Sequence, residues 1–181
     1  MPKIICTLSL FVFFQLGAQD LQKTKIGEDI TVMLPESFFP MSNSDLAQRY
    51  PSVRKPIGAF TTSSRMVDFS VKISATRWRD TDKEIARDFF KASLINMYDR
   101  IEFLKEEIKT INKKDFIVFE FESRIHGDEH LDPVRKYVYI QYLLINGKTI
   151  VFTFNCPIQM KEEWQKTVEE IMESVKVKNS I

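Results

Sequence analysis

The clearest pattern of apolar and polar positions lies between Val134 and Asn155, where two β-rich runs flank the dipeptide Asn146-Gly147. Asn-Gly between such runs predicts a two-residue hairpin loop, because a type I′ turn needs a positive φ at both central positions. The predicted register starts with Ile145 opposite Lys148 and continues through the pairs Leu143–Ile150, Gln141–Phe152, Tyr139–Phe154 and Tyr137–Cys156. Paired residues share a face of the sheet, and in this register both faces are apolar. A half-exposed strand would alternate with polar residues, so the hairpin is predicted to be the central pair of a sheet that is covered on both sides.

Apolar periodicity predicts further elements on either side of the hairpin. After a polar leader over residues 19–25, strands are predicted at Ile30–Leu34, Ile57–Thr62, Met66–Thr76, Glu102–Ile111 and Phe116–Arg124. The alternation of Met66–Thr76 predicts a strand nearer the edge of the sheet than the hairpin. Helical spacing predicts a short helix at Asp45–Tyr50 and two amphipathic cover helices, one from Thr81 to about Tyr98 and one from about Met160 to Ser174.

The order of these elements predicts the fold class. Three strands, a helix, four strands and a final helix lack the β-α alternation of a parallel sheet. We therefore expect an α+β domain with a mostly antiparallel sheet of about six to seven strands and one helix on each face, an α/β/α sandwich. Thr81 and Glu84 have the spacing of a capping box at the start of the first cover helix, and Ser44 is the expected N-cap of the short helix.

The first residues have the pattern of a secretory signal. Lys3 precedes an apolar run from Ile4 to about Phe14, and the small residues Gly17 and Ala18 precede a change to polar sequence. The run is shorter than the roughly 20 residues that a membrane-spanning helix needs. We expect residues 1–18 to be a signal peptide, with no transmembrane segment in the mature chain, and residues 19–181 to be a single domain. The expected location is the periplasm or the exterior.

Charge and cysteine content narrow the possible functions. The whole chain has 26 basic and 25 acidic residues, and loss of Lys3 with the signal peptide makes these numbers equal. A near-neutral chain does not predict a nucleic-acid partner. Cys156 is the single cysteine after residue 18, so no intrachain disulfide is expected. Its place among the aromatic residues of the hairpin predicts a buried structural thiol.

The chain resembles the PsbP-like α/β sandwich family, which includes the DcrB-like envelope domains. The resemblance is carried by Leu34-Pro35 after a strand, the strand and capped helix around Thr81–Glu84, the run Asn146-Gly-Lys to Cys156-Pro157, and Trp164, Ile171 and Ser174-Val-Lys-Val177. It covers most of the mature chain, and it implies a small, often exported, non-enzymatic accessory or binding domain. The family has no shared catalytic motif, so the resemblance transfers no site residues.

The sequence lacks the common catalytic and phosphate-binding motifs. The sequence has no Gly-rich phosphate loop, Gly-x-Ser-x-Gly, Cys-x-x-Cys or His-Glu-x-x-His motif. Metal-ligating residue types cluster in one short segment, which contains His126, Asp128, Glu129, His130 and Asp132. Because a second cluster and a regular ligand spacing are both missing, we expect a solvated loop that holds no metal or cofactor.

A binding surface is therefore the favoured functional hypothesis. Both sheet faces are expected to lie under helices, so a site should lie at the sheet ends or in loops. The candidate residues are Tyr50, Arg54, Arg77, Trp78 and Arg79, because Trp, Tyr and Arg are enriched in binding hot spots. The competing interpretation packs Trp78 on the rim of the core and pairs the arginines with Asp80 and Asp82.

The predicted function is that of an exported, non-enzymatic accessory protein that binds another protein or an envelope component. Two alternatives remain open. One is an envelope hydrolase or thiol enzyme that uses Cys156 or the loop with His126 and His130. The other is a DcrB-like adaptor for secreted effectors, which an export signal disfavours.

Overall fold

A computed structural model describes residues 20–51, 54–126 and 132–181. The strands are β1 Leu21–Ile26, β2 Ile30–Pro35, β3 Phe39–Pro40, β4 Gly58–Thr61, β5 Asp68–Ile73, β6 Arg100–Ile111, β7 Lys114–Ile125, β8 Val134–Ile145, β9 Lys148–Pro157 and β10 Lys176–Val177. The helices are α1 Asn43–Arg49, α2 Lys83–Met97 and α3 Lys161–Glu173, and a 3-10 turn at Ile158–Met160 precedes α3. Among the described residues, no helix is both long and apolar enough to cross a bilayer.

Two antiparallel sheets form the framework. The main sheet has seven strands in the order β3-β4-β5-β9-β8-β7-β6, and the second sheet has three in the order β1-β2-β10. The main sheet confirms the predicted antiparallel α+β architecture. The second sheet was not predicted, and the expectation of a loose leader over residues 19–25 was wrong, because Leu21–Ile26 pairs along its whole length with Ile30–Pro35.

The predicted hairpin is confirmed in register and position. Asn146 and Gly147 have φ values of 52° and 68°, and Tyr137 lies opposite Cys156 at the far end of the predicted pairing. Strand β9 is the central strand of the seven, with β8 on one side and β5 on the other. The Asn146-Gly147 turn therefore fixes the register and, with it, which residues of the hairpin lie on each face of the sheet.

Each face of the main sheet has its own apolar core. On one face, α3 and strand β2 pack on the hairpin, and the core includes Val32, Phe152, Phe154, Trp164 and Val168. On the other face, α2 packs on β7 and β8, and the core includes Ala86, Phe90, Leu94, Phe119 and Tyr142. The rings of Phe90 and Tyr142 are stacked at 4.0 Å. One long helix on each face is as predicted.

Helix α2 covers only part of its face. Val151, Thr153 and Asn155 of the central strand point toward the α2 side and are half-buried, whereas Phe152 and Phe154 on the opposite side are fully buried. Helix α2 does not reach the β5 part of this face, where Asp68 and Ser70 are buried beside Arg49 and Tyr50 at the end of α1.

Both predicted helix caps were wrong. Ser42, not Ser44, caps α1, and its hydroxyl accepts from the Asp45 backbone N–H while the Asp45 carboxylate accepts from the Ser42 backbone N–H. Asp82 is the N-cap residue of α2, so Thr81 lies one position too early for its capping box. The Asp82 carboxylate binds Arg79 and makes no capping bond to the helix.

Candidate functional site at the hairpin end of the sheet

The segment between β5 and α2 crosses the turn end of the β8–β9 hairpin. The Ser74 backbone N–H donates to the carbonyl of Thr149 at 2.8 Å, and the Thr149 hydroxyl donates to the carbonyl of Thr76 at 3.2 Å. Further along, the Asn146 backbone N–H donates to Asp80 Oδ2 at 3.4 Å. These bonds fix Trp78 and its neighbouring arginines beside the tight turn.

Trp78 is half-buried against the start of α2. Its ring centroid lies 5.3 Å from that of Phe89 and 6.1 Å from that of Phe90, and Nε1 is buried without a hydrogen-bond acceptor among the described residues. This confirms the competing interpretation, in which Trp78 packs on the rim of the core beneath α2. The indole ring is therefore part of the packed fold.

The arginines on either side of Trp78 differ in their contacts. Arg79 Nε donates to Asp82 Oδ2 at 3.0 Å, and this bond holds the pKa of the Asp82 carboxyl below its usual range. Arg77 is exposed and makes no ion pair within the described part of the chain. The predicted pairing with aspartates therefore holds for Arg79 and Asp82 and fails for Arg77.

A surface cleft of about 720 Å³ lies between this segment and the hairpin turn, and we call it the hairpin-end cleft. Its described lining residues are Arg54, Ile73, Ser74, Ala75, Thr76, Arg77, Trp78, Arg79, Asp80, Asn146, Gly147 and Lys148. Four of these side chains are cationic and one is a carboxylate. The cleft therefore brings Arg54, Arg77, Trp78 and Arg79 together and adds Lys148, which sequence reasoning missed.

Tyr50, the remaining candidate, lies elsewhere. The Lys72 ammonium sits 4.3 Å from the centroid of its ring, and burial raises the pKa of the Tyr50 phenol. Tyr50 lines a different cleft, together with Lys136 and Asn155, toward the opposite end of β9. The structure therefore places Tyr50 and Trp78 in different clefts and does not bring them together.

An exposed apolar edge adjoins the hairpin-end cleft. Ile85 is 65% exposed and Phe89 is 45% exposed; they lie one turn apart on α2, and Phe89 contacts Trp78. Helical spacing in the sequence places both on the apolar face of α2, which consists of Ile85, Ala86, Phe89, Phe90, Leu94 and Met97. These six positions span about 180° at 100° per residue, which is wider than a face that packs on one sheet requires, and that width was the available signal.

Comparison with known proteins supports the fold. No protein-family model matches the chain, and no curated protein matches it. The solved structure of the cyanobacterial PsbP protein CyanoP from Synechocystis superposes with a TM-score of 0.56 at 14% identity, covering 93% of this chain and 99% of that one. The chain has the PsbP-like fold.

Two further structures share this PsbP-like fold. The Ran-binding protein Mog1p of Saccharomyces cerevisiae has a TM-score of 0.58 at 13% identity, covering 88% of this chain and 96% of its own. LpqN of Mycobacterium tuberculosis, involved in cell envelope biogenesis, has a TM-score of 0.56 at 12% identity, covering 87% and 91%. At these identities the likeness is one of fold alone.

The candidate catalytic groups on this PsbP-like framework are separate from the cleft. Cys156 is fully buried, and burial raises the pKa of its thiol to about 12. His126 is exposed, with Nδ1 3.1 Å from Asp99 Oδ2, and its backbone N–H donates to the same oxygen. Asp128, Glu129 and His130 lie outside the described residues; within the described ranges, no group of three His, Cys, Asp or Glu residues could hold a metal ion.

Proposed function

We propose that this chain is an exported, non-enzymatic binding protein of the bacterial cell envelope that recognises an acidic segment of a protein partner at the hairpin-end cleft. The observation that carries the proposal is the excess of cationic side chains around Trp78. Arg54, Arg77, Arg79 and Lys148 line the cleft with the carboxylate of Asp80, and Asp82 pairs with Arg79, so four cations face two carboxylates.

The charge of the cleft is a local property. The chain as a whole has almost equal numbers of basic and acidic residues. The excess of cationic side chains at the cleft is therefore not explained by the net charge of the chain. Complementary charge steers association and selects partners. Carboxylates of an acidic segment would bind Arg77 and Lys148, while an apolar side chain of the same segment would pack on Ile85 and Phe89. Arginine beside an aromatic is a common hot-spot composition.

The structural relatives support this class of function. Mog1p is a Ran-binding protein, and LpqN is involved in cell envelope biogenesis. These roles of proteins with the same fold support a protein-binding role in the envelope for this chain.

The state of the thiol favours binding over catalysis. A thiol nucleophile acts as the thiolate, and reactive cysteines are partly exposed in surroundings that lower their pKa. Cys156 is buried with a raised pKa, the reverse of that arrangement. The enzyme alternative therefore rests on the His126 segment, most of which lies outside the described residues.

The decisive experiment compares charge reversals in the mature chain. The native partner is isolated by crosslinking in the host, and its affinity is then measured for wild type, Arg77→Glu and Lys23→Glu, the last being an exposed cation on the second sheet. We expect Arg77→Glu to weaken binding at least tenfold with an unchanged melting temperature, and Lys23→Glu to leave it unchanged. Wild-type affinity should fall as salt rises. Equal affinity of Arg77→Glu and wild type would remove the cleft as the site.

Export is tested separately. The intact mass of the protein purified from its native host should correspond to a chain that begins near Gln19. Retention of residues 1–18 would contradict the envelope location and favour the adaptor alternative.

A further inference from the structure

Three arginines lie side by side at the other end of the main sheet. Arg124 of β7 is directly opposite Arg100 of β6 on one side and Arg135 of β8 on the other. Directly opposed residues of neighbouring strands share a face, so the three side chains form one line across three strands, which we call the arginine row.

Among the described residues, the Asp99 carboxylate interacts with Arg124 at longer range, and no carboxylate makes a direct ion pair with the arginine row. Like charges directly opposite each other destabilise a sheet, and the row contains two such pairs in succession. Within the described ranges, none of the three forms an ion pair within 4 Å, and the Arg124 Nε is buried without an acceptor. A buried donor without an acceptor is costly, so the Arg124 Nε favours an added acceptor.

The nearby carboxylates are bound by other groups or kept apart by the register. Glu122 lies 2.7 Å from Lys161 Nζ, and Asp99 is bound by His126. Glu102 lies directly opposite Glu122, one row further in. Counting the row and Lys161 against Asp99, Glu102 and Glu122, four positive charges face three negative ones among the described residues. This local excess of positive charge favours an anion.

We propose that the arginine row is a binding site for a phosphate group, supplied either by a soluble phosphate or by the headgroup of an anionic lipid. Each guanidinium presents a planar fork of donors that matches two phosphate oxygens. Neighbouring strands lie about 4.8 Å apart, so adjacent forks can bind the same tetrahedral group. A phosphate oxygen would also supply the acceptor that the Arg124 Nε lacks.

The size of the depression agrees with a small ligand. Its volume is about 260 Å³, and it is lined by Arg100, Glu102, Glu122, Ser123, Arg124 and Arg135. This volume is below the usual range of about 300–1,000 Å³ for organic ligand pockets, so a single phosphate group is the appropriate ligand.

Exposed apolar residues at the same end of the sheet make a lipid source worth testing. Ile125 and Val134 form the next pair of the same two strands, on the opposite face of the sheet from the arginine row, and are 43% and 50% exposed. A membrane surface that contacted this end of the sheet would meet the arginines on one face and the apolar pair on the other.

The arginine row is independent of the hairpin-end cleft. Arg135 lies near the start of β8, and Asn146 follows its end. Eleven residues of extended strand separate the two sites by roughly 35 Å. Failure of one proposal therefore leaves the other intact.

The test uses the mature chain and two probes. Inorganic phosphate is titrated calorimetrically, and co-sedimentation is measured with phosphatidylglycerol vesicles and with phosphatidylcholine vesicles. The variants are Arg124→Gln, the exposed Arg135→Gln, and Lys23→Gln as a control at an exposed cation outside both proposed sites. We expect wild type to bind phosphate or the phosphatidylglycerol vesicles, and both row variants to weaken that binding at least tenfold. Lys23→Gln should bind as wild type does.

Thermal stability provides a readout that a purely structural role would not give. Without ligand, Arg135→Gln should melt at the same temperature as wild type or higher, because it removes a like-charge contact. Phosphate binding by wild type alone would assign a soluble ligand, and selective binding of phosphatidylglycerol vesicles would assign a headgroup. No binding of either probe, or binding that both row variants retain, would overturn the proposal.

Discussion

The phenol of Tyr137 donates a 3.0 Å hydrogen bond to Oε1 of Glu120, and both residues are buried beneath α3. Gln165 of α3 donates to the same oxygen at 2.6 Å, and Lys105 of β6 lies 3.7 Å from the other. A buried carboxylate is tolerated when donors surround it, so Glu120 joins three strands to the helix that covers them.

Removal of the Tyr137 hydroxyl should destabilise the fold. We expect Tyr137→Phe to lower the free energy of unfolding by about 1–2 kcal/mol, because the buried carboxylate loses a donor. Tyr139→Phe is the matched control, since its hydroxyl is also buried but has no partner among the described residues. That variant should be neutral or slightly stabilising in urea denaturation. Equal losses for the two variants would show that the Glu120 bond is not the cause.

The buried thiol makes two measurable predictions. Cys156 should react with a thiol reagent far more slowly in the native state than in denaturant. Cys156→Ser should cost about 1–3 kcal/mol, because a hydroxyl without an assured partner replaces the thiol among aromatic residues. Fast native labelling would show instead that Cys156 is accessible and would revive the thiol-enzyme alternative.

The same thiol should make stability depend on alkaline pH. Burial raises the pKa of Cys156 from 9.0 to about 12, so the native state keeps a proton that the unfolded state loses. This stabilisation is complete below pH 9 and is lost as the pH rises toward 12, by at most about 1.4 kcal/mol per pH unit. Burial also raises the pKa values of Tyr137, Tyr139 and Tyr142, which add their own loss above pH 10. Between pH 9 and 10, Cys156→Ala should therefore show a shallower decline in urea denaturation than wild type.

Trp78 should behave as a core residue in mutagenesis. Trp78→Ala removes the ring that packs on Phe89 and Phe90, and we expect a loss of about 2–4 kcal/mol. Arg77→Ala, next to it but exposed, should change stability by less than about 0.5 kcal/mol. Thermal melts of the two variants check this directly. A melting temperature unchanged by Trp78→Ala would show that the packing contributes little and that the ring is free to bind.

The two helix starts allow a matched test of capping. Ser42→Ala removes a reciprocal cap and should cost about 1 kcal/mol, whereas Thr81→Ala removes no capping bond and should stay within about 0.5 kcal/mol. Chemical denaturation measures both. A cost for Thr81→Ala equal to that of Ser42→Ala would mean that Thr81 caps α2 in solution.

The absence of a metal remains a prediction. After purification without chelator, elemental analysis should find no stoichiometric zinc or other transition metal. One metal per chain, lost in His126→Ala and His130→Ala, would make the segment between β7 and β8 a metal site.

The sequence by itself determined the centre of the fold. Period-two alternation and an Asn-Gly turn are local signals, and together they specified the register from Tyr137 to Cys156 and the two apolar faces. The amphipathic spacing of the residues in α2 and α3 likewise specified one helix for each face. The burial of Cys156 follows from the same register, so it too could be predicted.

Only the tertiary structure decided which distant residues lie together in the two proposed sites. Arg100, Arg124 and Arg135 are scattered along the sequence, and they meet because β7 pairs with both β6 and β8 in one particular register. Arg54 joins Trp78 in the cleft while Tyr50, four residues earlier, lies in another. The local sequence shows whether a segment is a helix or a strand and which of its faces is buried. Strand order and the paths of loops depend instead on long-range packing between segments, which no single segment specifies.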